Sequence, residues 1–160
     1  MYSRDALPHI KKAFEKYKTV TLTGPRQSGK TTLARSAFPN FAYISLEDPD
    51  IRRMALDDPR GLLKRYEGQD MIFDEIQRAP EITSYLQGLI DDPTKKNKFI
   101  LTGSHSLLLL NDVKQSLAGR TRVFELLPFS VHELALKQLP DLIQLLFMGS
   151  YPKIHNEGLE

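Results

Sequence analysis

Gly24, Gly29, Lys30 and Thr31 stand at the spacing G-x-x-x-x-G-K-T, within the run Gly24-Pro25-Arg26-Gln27-Ser28-Gly29-Lys30-Thr31-Thr32-Leu33. That spacing suits the holding of nucleotide phosphates. Phosphates are dense negative charge. A loop wrapped around them must turn its N–H groups inward, through backbone angles that glycine adopts at little cost. A helix starting at the loop's end adds free N–H groups and the positive end of its dipole. Lys30 supplies a mobile positive charge between the phosphates, and the Thr31 hydroxyl is placed to ligate Mg²⁺. Glycine is about 7% of residues in general, so two fixed glycines with the lysine and the hydroxyl rarely coincide in an incidental turn. The candidate nucleotide-binding set is therefore Gly24, Pro25, Arg26, Gln27, Ser28, Gly29, Lys30, Thr31 and Thr32, with Arg26 able to touch phosphate from inside the loop.

A phosphate cradle does not by itself say that the nucleotide is hydrolysed. Met71-Ile72-Phe73-Asp74-Glu75 speaks to that. An apolar strand ending in aspartate can hold Mg²⁺ opposite Thr31, directly or through water. Glu75, the next residue, can orient and deprotonate the attacking water, a contribution worth about 10²–10⁴ in rate. Taken alone, two acids at a strand end are an ordinary solvated turn; the cradle upstream is what gives them meaning. Lys98-Phe99-Ile100-Leu101-Thr102-Gly103-Ser104 is a third element, and its hydroxyls, Thr102 or Ser104, are candidates to touch the γ-phosphate or the water. Gln77 is a further group within reach. Arg120 and Arg122 precede or enter a fifth strand. Arg120, freed to bend by Gly119, is the candidate for stabilising the transferring phosphoryl in its own or a neighbour's site, a role worth about 10³–10⁵.

The elements that must position these groups are legible from periodicity. Leu7, Ile10, Phe14 and Tyr17 recur at helical spacing, with Pro8 near the start where proline is tolerated. Strands are expected at Thr19 to Thr23, Phe41 to Leu46, Gln69 to Phe73, Lys98 to Thr102 and Thr121 to Leu127. The second is near-continuously apolar, as if covered on both faces. Helices are expected from Gly29 or Lys30 to Phe38, in two pieces from Asp48 to Tyr66 broken at Asp58-Pro59, and along the face Ile82, Tyr85, Leu86, Leu89 and Ile90. Asp91-Asp92-Pro93 closes that last helix. Ser130 with Glu133 reads as a capping box. A final apolar helix runs from about Pro140 to Met148. Alternating strands and helices argue for a parallel sheet covered by helices on both faces.

The chain has 160 residues, no cysteine and a formal net charge of +2. One domain with a sizeable core is the expectation at this length. Without cysteine there is neither a disulfide nor a zinc–thiolate site. Such a chain suits a reducing cytoplasm, which is the expected location. Met1 to Lys18 lack the apolar core of a signal peptide. Phe99 to Asn111 is too short and polar to cross a bilayer, and Leu107-Leu108-Leu109-Leu110 within it is expected to be core. The small net charge, with no basic stripe or helix-turn-helix, gives no support to a nucleic-acid partner. His9, His105, His132 and His155 lack ligand spacing. Lys95-Lys96-Asn97-Lys98 reads as a solvated loop.

The segments GPRQSGKTTL, YISLEDP, IFDEIQRAPEI, FILTGSHSLLLL and SLAGRTRVFELLPFSVHEL together resemble the prokaryotic AAA+-like P-loop ATPases known chiefly as ATP-binding proteins, whose ATPase domain precedes a second domain of unknown function. The resemblance spans about Tyr2 to Leu134. It implies a three-layer α/β/α fold with a five-stranded parallel sheet of order 5-1-4-3-2. It implies ATP and Mg²⁺ as cofactors, Lys30 and Thr31 as nucleotide and metal residues, Asp74 and Glu75 as the second signature, and Ser104 or Thr102 as the γ-phosphate sensor. Members are typically more than twice this length. Residues 1–148 are therefore expected to be the ATPase domain, and 149–160 the start of a truncated C-terminal region, with Leu159-Glu160 as a cloning remnant.

The function expected is Mg²⁺-dependent ATP binding and hydrolysis that drives a conformational change in a C-terminal domain or a partner, with a homo-oligomer or partner protein implied. The competing reading is a nucleotide-dependent switch with negligible turnover. A small-molecule phosphotransferase is a third; no arginine-rich lid after the fourth strand supports it.

Overall fold

The structure, a computed structural model, describes residues 2–104, 116–136 and 141–157. The Leu107–Leu110 tetrad, His105 and Leu159-Glu160 lie outside the described residues. Five strands form one sheet: β1 (Thr19–Thr23), β2 (Ala42–Ser45), β3 (Met71–Asp74), β4 (Phe99–Thr102) and β5 (Thr121–Glu125). Their spatial order is β2-β3-β4-β1-β5 and every pairing is parallel. This is the order 5-1-4-3-2 read from the other edge.

The helices are α1 (Ala6–Ala13), α2 (Lys30–Ala37), α3 (Pro49–Asp57), α4 (Pro59–Arg65), α5 (Ile82–Asp91), α6 (Val131–Ala135), α7 (Leu142–Met148) and α8 (Pro152–Glu157). A short 3₁₀ turn, Ile76–Arg78, follows β3. Asp48 caps α3 by accepting from the N–H groups of Asp50 and Ile51, and Asp58 caps α4 by accepting from Gly61. Each cap is followed by proline at the first helical position, where its missing N–H costs nothing. That pair of signals is why the polar stretch breaks at Asp58-Pro59.

Side chains alternate across the sheet and build a core on each face. Met71, Phe73, Phe99 and Leu101 point to the side of α3, α4 and α5, where they join Ala55, Leu62, Ile82 and Leu86. Val20, Leu22, Ile72 and Ile100 point the other way, onto Ile10 of α1 and Leu33 and Ala34 of α2. The three central strands are buried throughout. The two edge strands are not. In β2 only Ile44 is fully buried, because the strand has β3 on one side alone; both its faces are nonetheless covered in part, Ala42 and Ile44 packing into one core and Phe41 and Tyr43 into the other. In β5 no residue is buried, and the strand ends at Glu125 rather than at Leu127. On α5, Ile82, Leu86 and Ile90 face the core as expected, while Tyr85 sits on the exposed rim. In α7 the large side chains Leu142, Ile143, Leu146 and Phe147 all face solvent. No helix among the described residues is long and apolar enough to cross a membrane.

Candidate active site

Parallel strands open all their C-terminal ends at one rim of the sheet, where ligands of such folds sit. At that rim β1 runs into Gly24, β3 delivers Asp74 and Glu75, and β4 delivers Thr102 to Ser104. The loop leaving β1 takes its shape from left-handed backbone. Gly24 has φ 139°, and a Cβ there would stand 2.2 Å from the Leu126 carbonyl oxygen, just past β5. Only glycine fits. Gln27 (φ 63°) and Gly29 (φ 90°) are left-handed as well, and α2 starts at the next residue, Lys30.

The Lys30 side chain curls back into the loop. Its Nζ donates to the carbonyl oxygens of Gly24 at 3.0 Å and Pro25 at 2.7 Å. Burial pushes its ammonium below the ordinary lysine range, against the upward pull of Glu75 and Asp74. Thr31, one residue on, donates through Oγ1 to Asp74 Oδ1 at 2.7 Å. Thr102 Oγ1 donates to the same oxygen, and the Tyr43 hydroxyl donates to Asp74 Oδ2 at 2.8 Å. Asp74 is thus a buried carboxylate held by hydroxyl donors alone among its side-chain partners. Burial, and then the hydrogen bond to Asp74 and its charge, push the Tyr43 phenol up to about 12.

Glu75 is left-handed, at φ 57° and ψ 50°. For a non-glycine residue such backbone costs about 1–3 kcal/mol and persists where surrounding structure enforces it. Its N–H donates to Thr102 Oγ1 at 3.3 Å. Gln77 Nε2 donates to Glu75 Oε2 and, at 2.9 Å, to Ser104 Oγ. Gln77 Oε1 is buried with no partner among the described residues. Three of the groups read from the sequence as catalytic or sensing candidates, Glu75, Gln77 and Ser104, are therefore one hydrogen-bonded cluster beside the Asp74 network.

The mouth of the loop is a cleft of about 300 Å³ lined by Gln27, Gly29, Lys30, Thr31, Thr32, Glu75 and two residues of α8, Pro152 and Lys153. An adjoining, more apolar cleft of about 310 Å³ is lined in part by Tyr2, Leu7, Thr32, Phe129 and Pro152. A larger cleft, about 660 Å³, lies between α4 and α5 around Arg60, Lys64, Tyr85 and Gly88. Its carboxylate, Glu67, is paired with Lys95 at 2.7 Å.

A brace ties the loop to the chain's first residues. Arg4 is buried, donating to Ser28 O at 2.9 Å, Leu127 O at 2.5 Å and Glu133 Oε1 at 3.1 Å, and it lies 4.9 Å from the centre of the Phe129 ring. Glu133 also accepts from the N–H groups of Asp5 and Ser130, the second being half of the α6 capping box.

Two arginines fall elsewhere than expected. Arg120 precedes β5, whose first residue pairs with Thr19 at the rim opposite Gly24. Its Nε and Nη2 bond Asp91 Oδ1 at 2.6 Å and Oδ2 at 2.9 Å, at the end of α5. The parallel topology carries it away from the cradle of its own chain. Arg122 is exposed midway along β5, paired in register with Val20, its guanidinium 5.9 Å from the Phe124 ring centre. Arg26 is exposed on the loop. Tyr43, Arg4, Pro152 and Lys153 reach the site without any local motif to announce them, and Glu133, legible as the capping-box acid of α6, gives no sign in the sequence of its bond to Arg4.

A family model described as AAA domain matches residues 16–135. An uncharacterized protein of Mycobacterium tuberculosis and one of Mycobacterium bovis are each 36% identical over 133 residues, 81% of this chain and 30% of theirs. An uncharacterized protein of Methanocaldococcus jannaschii is 33% identical over 125 residues, 72% of this chain and 28% of its own. The chain thus spans about 30% of the length of the curated relatives it matches. Among solved structures, a Walker-type ATPase of Pyrococcus abyssi superposes with a TM-score of 0.61 over 98% of this chain and 69% of that one, at 17% identity. At that identity the likeness is one of fold.

Proposed function

The chain belongs to the AAA domain family, and on that footing we propose that it binds ATP with Mg²⁺ in the Gly24–Thr32 cradle and hydrolyses it to ADP and phosphate. The observation that carries this reading is the meeting of Thr31 Oγ1, Thr102 Oγ1 and Asp74 Oδ1 beside Lys30, one residue from Glu75. A carboxylate and a hydroxyl are hard oxygen donors, as Mg²⁺ prefers. Among the described residues no cluster of three or more His, Cys, Asp or Glu could hold a metal unaided. That also suits Mg²⁺, which takes few protein ligands and completes its shell with phosphate and water.

In this reading the loop N–H groups and the start of α2 bind the phosphates, and Lys30 exchanges two carbonyl partners for phosphate oxygen. Thr31 and Asp74 would hold the cation, which when bound would supply charge neutralisation for the phosphate oxygens. Glu75 accepts the proton of the attacking water as the bond to the bridging oxygen of ADP breaks. Gln77 orients Glu75 and links it to Ser104, the sensor of the γ-phosphate. The apolar cleft around Tyr2, Leu7, Phe129 and Pro152 takes the nucleobase. Residues 149–160 begin the region that responds: Pro152 and Lys153 line the cradle mouth. Hydrolysis then drives a conformational change in that C-terminal region, in a partner protein or between copies of the chain.

A specific observation favours slow turnover by the chain alone, with nucleotide acting as a switch. Arg4 is engaged with Ser28, Leu127 and Glu133, and Arg120 with Asp91. Neither guanidinium is available to the transferring phosphoryl in this arrangement, which leaves Arg26, exposed on the loop, as the arginine nearest in sequence to Lys30. The test of the whole reading is nucleotide binding measured beside phosphate release, without any acceptor. Lys30→Ala should abolish ATP binding. Glu75→Gln should bind ATP as the parent does and lose about 10²–10⁴ in turnover. A Glu75→Gln protein that hydrolyses at the parent's rate refutes the base assignment.

A further inference from the structure

We infer that Tyr43 is a positioning residue for Asp74, and that through it the edge strand β2 sets how tightly the site takes its divalent cation; the inference rests on the Mg²⁺ reading above. Ser45 pairs with Asp74 and Tyr43 with Ile72. Residues two apart on a strand share a face, so the Tyr43 ring runs along the sheet toward the open rim. Its hydroxyl meets Asp74 Oδ2 two pairs further on, at 2.8 Å.

The ring itself is fixed. The Arg35 guanidinium of α2 lies 4.6 Å from its centre. Thr31, Thr32 and Ile72 line the same cleft. Tyr43 is thus set between β3, which carries Asp74, and α2, which carries Thr31.

The consequence follows from the geometry of a carboxylate. Oδ1 is claimed by Thr31 and Thr102. With only those bonds the group could still swing about Cβ–Cγ. A third donor on Oδ2 fixes its plane, so Oδ1 stays aimed at the Thr31 side where a hard cation would bind. Partners of this outer kind orient metal-ligating groups, and their loss weakens metal affinity by about 10–100-fold. Tyr43→Phe removes only the hydroxyl and keeps the ring contacts.

The experiment uses the full chain and a fluorescent ATP analogue, titrated with Mg²⁺ and, separately, in EDTA. In the parent, Mg²⁺ should tighten binding. In Tyr43→Phe the Mg²⁺ midpoint should rise by about 10–100-fold, with affinity in EDTA unchanged. In an Asp74→Asn background the same substitution should add no further shift. A Tyr43→Phe midpoint equal to the parent's, or an equal loss of affinity in EDTA, overturns the inference and leaves the metal reading standing. A parent indifferent to Mg²⁺ overturns the metal reading, and this inference with it.

Discussion

Replacing Arg4 by alanine should unfold the chain far more readily than its place near the terminus suggests. The Arg4 and Glu133 side chains are 8% and 5% exposed. Without the guanidinium, Glu133 keeps two N–H donors, from Asp5 at 2.8 Å and Ser130 at 3.0 Å, but no compensating charge. Removing one partner of a buried pair costs about 3–5 kcal/mol. The carbonyls of Ser28 and Leu127 also lose a donor, each worth about 1 kcal/mol where water does not replace it. A total of about 3–7 kcal/mol, set by how far water replaces the two lost donors, would lower Tm by about 6–28 °C in a chain of this size. The assay is urea and thermal unfolding of the nucleotide-free protein, for the parent, Arg4→Ala, Glu133→Gln and the double variant. Because the pair is buried, added salt should change the differences little. The double variant should recover part of the loss, since no unpaired buried charge remains. An Arg4→Ala protein within about 1 kcal/mol of the parent, or a double variant as unstable as the sum of both singles, would refute the reasoning.

Gly24→Ala should cost about 3 kcal/mol of stability, from a left-handed backbone and a Cβ driven against the Leu126 carbonyl, and should weaken nucleotide binding with it; thermal unfolding and analogue binding read both. In alkaline solution the Tyr43 phenol should keep its proton to about pH 12, against an ordinary value of 10.0. A phenol raised in the folded state stabilises fully below pH 10 and loses that contribution as pH rises through 12. Ultraviolet titration of phenolate should therefore show a late step that is missing in Tyr43→Phe, and stability should fall less steeply above pH 10 in that variant.

The groups legible in the sequence are those whose chemistry is local. Gly24, Gly29, Lys30 and Thr31 lie in one loop, and their spacing encodes its geometry. Asp74 and Glu75 were legible because an apolar run must end where the sheet opens. The groups that escaped are long-range. Arg4 and Glu133 are 129 positions apart. Tyr43 sits within an apolar strand pattern that gives no sign of where its hydroxyl ends. Arg120 is a candidate for its own site or a neighbour's, and the own-site alternative fails for a related reason. A glycine and an arginine before a strand look like a site entrance, yet in a parallel sheet a strand's beginning lies at the rim away from the site. The partial burial of β2 and β5 depends on which strands are outermost, and the sheet order came from family resemblance rather than from any strand's own residues.

The contact between Gly24 and the Leu126 carbonyl makes the first turn of the phosphate loop a mechanical gauge for the strand beside it. A Cβ added at Gly24 would stand 2.2 Å from that oxygen, so little room separates the loop from the residue after β5. A pull on the segment after β5, which carries Phe129 and meets Ser150 through a backbone bond of 2.8 Å, would be felt at the loop as a change of shape. In the reading proposed above, that segment and the loop would therefore shift together.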